Sequence, residues 1–392
     1  MHVGLRALGM LALAVAGAAV WHAVRRIGCG AVYPKRDAPP FDVEVLSTSG
    51  SRVTLRGLRV TDACGTPVEN WRKRGVWGLE WPGGYAQVGD IVQLDAAARV
   101  VVRPLWPHAG MLAAGTRAHL DAAVFRGDPA QAFGLPCEHV TYASELGPMP
   151  AWLVPGRHTT WAILVHGKGV TPREGLRILP TLHALGCPVL GIAYRNDAQA
   201  PGGQHLTYGY GQTEWRDLEA AVTYARARGA VDVLLVGFSM GGAIVMSFLL
   251  RSAEASCVAG VILDAPMLDL GGTVEAGLRA AGVPRPIRGV ILEVARHRYG
   301  LDWRALDYVR QADGLRAPIL VIHGAVDHLV PASTSDALAT RRPDLVTYEK
   351  FAGAHHVGAW NVDRARYEAA VRAFVPRVAR LGALAGEEAV AR

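Results

Sequence analysis

Lysine is nearly absent. Of the 41 basic residues in this 392-residue chain, only Lys35, Lys73, Lys168 and Lys350 are lysines. No basic run exceeds Arg72-Lys73-Arg74, and no nucleic-acid-reading module is recognisable, so the net charge of +7 is dispersed and nucleic-acid binding is not expected. Cysteine is scarce too: the five residues form no CxxC and no metal-ligand spacing with histidine. Cys187 and Cys257 each precede an apolar run and read as small buried hydrophobes. A Cys64–Cys137 disulfide is compatible with an exported chain. There is no internal repeat and no low-complexity tract. With 19% charged and 51% apolar residues, the chain is neither disordered nor a coiled coil, and it has material for two or three domains.

The first segment, about residues 1–30, reads as a membrane anchor or signal segment. Ala7 to Val24 carries no formal charge, and as a helix it would cover ~27 Å, close to the ~30 Å hydrocarbon core of a bilayer. Arg6 and Arg25-Arg26 flank it, and Trp21 sits at an interfacial position. The expectation is an uncleaved single-pass anchor; the alternative is export after signal cleavage at the small residues around Ala14–Ala18. Basic residues after the span (Arg25, Arg26, Lys35, Arg36) lean the body toward the cytoplasm.

After a proline-bearing linker, residues 41–135 form a small β-rich region. Short β-branched runs (Val43–Leu46, Val53–Leu55, Asp90–Leu94, Val100–Val102) alternate with glycine- and proline-bearing turns. Trp71, Trp77, Trp81 and Trp106 fall here; they read as core of this module, with a ligand platform as the alternative for Trp77–Tyr85. Residues 136–380 then alternate strand and helix, an α/β pattern with helices on both faces of the sheet. A hairpin is expected at His139–Ser144 and Ala151–Val154. Further strands are expected at Trp161–Val165, Val189–Tyr194, Val233–Val236, Gly260–Leu263, Ile319–Ile322 and Val346–Tyr348. A helical insertion over 267–317 has the length of a cap. Residues 381–392 are a tail.

The chemistry concentrates at strand ends. Val233–Val236 runs into Gly237-Phe238-Ser239-Met240-Gly241 and an apolar helix, the strand–turn–helix setting of G-x-S-x-G. Ser239 is projected from a sharp turn, Gly237 and Gly241 leave room for close approach, and the helix N-terminus favours developing negative charge. A serine nucleophile needs an oriented base. Asp327 follows the strand Ile319–Ile322, and His356 follows the last strand within Gly353-Ala354-His355-His356. His355 is the competing base and Asp264 the competing acid. Met240 supplies one oxyanion N–H, and a second is expected from His166-Gly167-Lys168, after Trp161–Val165. Tyr208–Gly211 reads as a turn, and Glu214 and Asp217 as solvated or dipole-favouring residues of a helix first turn.

On these motifs, across about residues 136–380, the chain resembles the α/β-hydrolase superfamily, nearest its serine esterase, lipase and serine aminopeptidase-like branches. The resemblance implies the α/β-hydrolase fold with a short helical cap, and it makes Lys168, after the His-Gly pair, the second oxyanion donor. A lysine here departs from the HGGG form of many lipases. The implied activity is that of a serine hydrolase cleaving carboxylic esters, including lipid esters if anchored at a bilayer, through an acyl-enzyme. It needs neither metal nor organic cofactor. The alternatives are an amidase or serine aminopeptidase with the same triad, or a non-catalytic membrane-tethered binding protein. An aspartate-nucleophile dehalogenase is disfavoured by Ser239.

Overall fold

The computed structural model describes residues 17–34, 38–106, 109–203 and 206–379. Two sheets organise it. The second contains β8 (Glu138–Ser144), β9 (Gly147–Val154), β10 (Thr160–Val165), β11 (Val189–Ile192), β12 (Asp232–Phe238), β13 (Val258–Asp264), β14 (Ile319–Gly324) and β15 (Val346–Phe351). Their order is β15-β14-β13-β12-β10-β11-β9-β8. The β8–β9 hairpin and the β9–β11 pair are antiparallel and all other pairs are parallel. Strands β10, β11, β12 and β14 are buried at every residue. Burial on both faces is why these segments are continuous apolar runs rather than alternating ones. The chain reverses direction across the sheet at β10, so the crevice between the carboxyl ends of β10 and β12 is the switch point where α/β sheets place ligands.

The preceding sheet is antiparallel: β1 (Val43–Ser49), β2 (Arg52–Gly57), β3 (Trp77–Trp81), β4 (Gly84–Val88), β5 (Gln93–Asp95), β6 (Val100–Pro104) and β7 (Arg117–Asp121), in the order β4-β3-β7-β1-β2-β6-β5. It curls until the end of β4 bonds the end of β6, through Gly89 N–H to Pro104 O (2.9 Å) and Trp106 N–H to Gln87 O (3.1 Å). The result is a small barrel. Trp71, Trp77, Trp81, Leu79, Val101 and Leu120 fill it, whereas Trp106 is exposed. The aromatic Trp77–Tyr85 stretch is the β3–β4 hairpin, which β-branched runs did not reveal.

Arg103 is fully buried in the barrel and donates to the carbonyls of Gly75 (3.1 Å), Gly89 (2.9 Å), Trp71 (3.2 Å) and Lys73. One guanidinium thus pins the 71–75 loop from within. Asn361, in the short helix Ala359–Val362, joins barrel to hydrolase-like sheet. It donates to Val76 O (2.7 Å) and Ala122 O (2.9 Å) and accepts from Arg177 (2.7 Å).

Several expectations are corrected. Cys64 bonds Cys29, with Cα atoms 5.6 Å apart, and Cys137 is a free thiol. The Asp62–Thr66 turn carrying Cys64 faces the N-terminal segment, whereas Cys137 lies just before β8. Glu214 and Asp217 are fully buried, not solvated. Their helix start lies under the 208–213 turn, so each carboxylate has protein partners in place of water. Glu214 accepts from the N–H groups of Gly209 and Gly211 (2.5 and 3.0 Å), and Asp217 from the Arg195 guanidinium (2.7 Å). Of the N-terminal span, residues 7–16 lie outside the described residues. Residues 17–27 are helical, with Val24 packed on Ile291 and Ala295 of the cap helix Arg285–Tyr299. Among the described residues no helix is long and apolar enough to cross a membrane. The tail 381–392 lies outside the described residues.

Candidate active site

Ser239 follows β12 and caps the helix Met240–Arg251 with φ +50° and ψ −113°. A non-glycine residue avoids this region unless its surroundings impose it, at a cost of about 1–3 kcal/mol. Here they do. A Cβ on Gly237 would lie 2.7 Å from Gly241 O, and one on Gly241 would lie 2.0 Å from Val165 O. The β10 loop and the helix thus close on the turn from both sides. Met240 opens the helix, where N–H groups have no intrahelical acceptor.

His356 Nε2 lies 2.8 Å from Ser239 Oγ, and Nδ1 lies 2.7 Å from Asp327 Oδ2. The three side chains come from the carboxyl-end loops after β12, β14 and β15 and form one continuous relay. His355, the competing base, makes no bond to Ser239 or Asp327; it lies beside His328, ring centroids 6.1 Å apart. Asp264, the competing acid, is buried and has no hydrogen-bond partner among the described residues; its backbone carbonyl instead accepts the Ser239 N–H (2.9 Å).

Burial by itself would push the Asp327 carboxyl up. Bonds from His323 and His356, the imidazole charge and the Val330 N–H outweigh it and hold the group well below the usual carboxylate range. Leu329 and Val330 N–H both bond Oδ1 at 2.9 Å. His323, which sequence reasoning did not select, is fully buried 3.2 Å from Asp327 Oδ2, with its other nitrogen 2.8 Å from Ser335 Oγ. A histidine inside the apolar strand Ile319–Gly324 was the available signal.

The His166-Gly167-Lys168 loop abuts the nucleophile: a Cβ on Gly167 would sit 3.2 Å from Ser239 Cβ. Glu174 takes the Gly167 N–H (2.7 Å). His166 is locked between Asp197 (2.9 Å) and the Gly167 carbonyl (2.8 Å) and stacks on Tyr194, which makes it a loop brace. The Lys168 ammonium reaches Gly30 O at 3.0 Å, so its charge is engaged with the N-terminal segment.

A pocket of about 180 Å³ opens beside His356, between the barrel and the loop after β15. Its barrel wall includes Lys73, Trp77 and His119; Trp77 belongs to the stretch whose alternative reading is a ligand platform, whereas nothing local marks Lys73 or His119 as site residues. Elsewhere, Asp128, Cys137 and His139 bring one donor atom each within 4.8 Å of one another, a set zinc would accept. The Asp128–His139 bond (2.9 Å) and the capping of Gln131 N–H by Asp128 also account for that cluster.

Residues 159–299 match the family described as serine aminopeptidase, S33, and residues 69–121 match a domain of unknown function, DUF8805. The fold is similar to that of the Pyrococcus furiosus esterase Pf2001. Its P212121 crystal form matches with a TM-score of 0.52 and 19% identity over 65% of this chain and 95% of that one. Its P21 form gives 0.51 and 18%, over 65% and 98%. The chain belongs to the α/β-hydrolase superfamily. No curated protein matches it. The S33 match covers the turn of this hydrolase that carries Ser239 but ends before Asp327 and His356, so their assignment stands on geometry. The DUF8805 match lies within the barrel.

Proposed function

We propose that this hydrolase cleaves carboxylic esters by acyl transfer to water. The observation that carries the reading is the unbroken Ser239–His356–Asp327 relay, at 2.8 and 2.7 Å, behind a strained nucleophile turn. His356 accepts the Ser239 proton as Oγ attacks the acyl carbon. Asp327 orients the imidazole and stabilises its cation. The N–H groups of Met240 and Lys168 receive the oxyanion. The imidazolium gives its proton to the departing alkoxide, and a water activated by His356 then releases the acid.

The lining beside His356 favours ester over aminopeptidase chemistry. An aminopeptidase must hold an α-ammonium with a carboxylate, yet the pocket's Asp121 is engaged by Arg173 and its neighbour Lys73 is cationic.

The N-terminal tether belongs to the same proposal. A structural disulfide persists in oxidising compartments, so the Cys29–Cys64 bridge favours an exported catalytic body over the cytoplasmic one to which the flanking arginines lean.

A fluorophosphonate probe should label the protein, and Ser239→Ala should abolish both labelling and turnover of p-nitrophenyl acyl esters. Folded protein that neither labels nor turns over esters overturns the proposal, and turnover of aminoacyl amides alone moves it to the amidase class.

A further inference from the structure

The barrel supplies one wall of the pocket beside His356, and that wall carries a lysine whose ammonium has no carboxylate in contact, Asp42 and Asp327 acting on it only from beyond salt-bridge distance. Lys73 is one of four lysines in the chain. Its ammonium donates to Asn70 Oδ1 at 2.9 Å and lies 5.9 Å from the centre of the Trp77 ring. Among the described residues no carboxylate lies within salt-bridge distance of it. The other charged side chains at the pocket have partners in contact: Arg74 pairs with Asp90 (2.7 Å), Asp121 shares Arg173 with Glu80, and His119 lies 3.8 Å from Asp42. The backbone of the 71–75 loop is fixed from beneath by the buried Arg103, and the ammonium itself is anchored by Asn70 Oδ1. Burial, and then Lys73 itself, pushes the facing His355 imidazole below its usual pKa, as expected of a site with positive potential.

Position decides what meets this charge. The leaving alkoxide takes its proton from His356, so the alcohol part of an ester departs on the imidazole side, where the pocket lies.

We propose that the barrel is the specificity element of this enzyme and that Lys73 selects esters whose alcohol part carries an anionic group of the carboxylate or phosphate type. The inference rests on the serine-hydrolase reading above. Lys73 forms a charge-assisted bond to the anion, with the Trp77 face and Asn70 bounding it. Such a contact far from the scissile bond strengthens substrate capture more than the chemical step.

The test compares kcat/KM for 4-acetoxybenzoate, 4-acetoxyphenyl phosphate and phenyl acetate, which share an acyl group. Lys73→Met should lower the ratio of each anionic ester to phenyl acetate by about tenfold, mainly through KM, and Lys73→Arg should restore most of it. The larger of the two ratios identifies the anion type. A ratio unmoved by Lys73→Met overturns the proposal. Calorimetric titration of Ser239→Ala with 4-hydroxybenzoate and with phenol needs no turnover. The acid should bind about tenfold tighter than phenol, and the preference should vanish in the Ser239→Ala/Lys73→Met double variant. Equal binding, or a preference that survives the second substitution, also overturns it. Failure of fluorophosphonate labelling instead removes the hydrolase reading, and the calorimetry still decides the anion site.

Discussion

Asn361→Ala isolates the joint between barrel and catalytic sheet. The side chain makes two neutral bonds, to Val76 O and Ala122 O, and one from the Arg177 guanidinium. Arg177 keeps Val357 O (2.7 Å) in the variant, so it is not stranded. The two neutral bonds at about 1 kcal/mol each and the charge-assisted one at about 1.5–3 total roughly 4 kcal/mol. Water entering the vacated space recovers part of this, leaving a loss of about 2–3 kcal/mol. Urea unfolding followed by tryptophan fluorescence reads it as a lower midpoint at unchanged slope. Because residue 361 lies just past His356, ester turnover should fall while Ser239 remains labelled. A midpoint within about 0.5 kcal/mol of wild type would refute the reasoning and show that the barrel is held by other contacts.

Three further outcomes follow from the site. Ser239→Gly should be about 1 kcal/mol more stable than Ser239→Ala in urea: relief of strain at φ +50° exceeds the added freedom of the unfolded glycine chain. A less stable glycine variant would mean the turn stores no strain. Under the proposed mechanism His356→Ala should lower kcat on the order of 10³–10⁴-fold with the fold intact, and His355→Ala far less; the reverse order of losses would assign the base to the neighbour. Asp264 is raised to about 6 by burial, partly offset by Arg177. Unfolded aspartate titrates near ~4, so the folded state holds this proton more tightly, and stability falls as pH climbs through about 6. The neutral Asp264→Asn should therefore exceed wild type in thermal stability at about pH 8, with the gap narrowing toward pH 4. A gap independent of pH would show that Asp264 does not titrate there.

The central strands of the hydrolase sheet were legible because burial on both faces leaves apolar residues in a row, as in Trp161–Val165 and Ile319–Ile322. Ser239, Asp327 and His356 were legible because each lies on the loop that follows a strand, and the structure brings them into contact. Other features depend on partners remote in sequence. Glu214 looked like a solvated helix start because Gly209 and Gly211 N–H groups reach it only once the turn folds over. Cys29 lies 35 residues from Cys64, and no spacing rule chooses it over Cys137. Lys73 carries no local mark at all; its position beside His356 comes from barrel closure, Arg103 and Asn361. The insertion over 267–317 was legible as helical, with helices at Leu270–Ala280 and Arg285–Tyr299.

The Cys29–Cys64 bond gives the chain a covalent short cut. Any pull applied ahead of residue 29 passes through sulfur to the 62–66 turn, bypassing residues 30–63, and so reaches the barrel before it reaches the catalytic sheet. Cutting that bond with a reductant would remove the short cut, leaving segment 28–33 secured by contacts such as Tyr208 N–H to Val32 O (2.8 Å) and Lys168 to Gly30 O. The His166–Lys168 loop, which carries the proposed oxyanion donor, would then be the first part of the proposed machinery to feel the load.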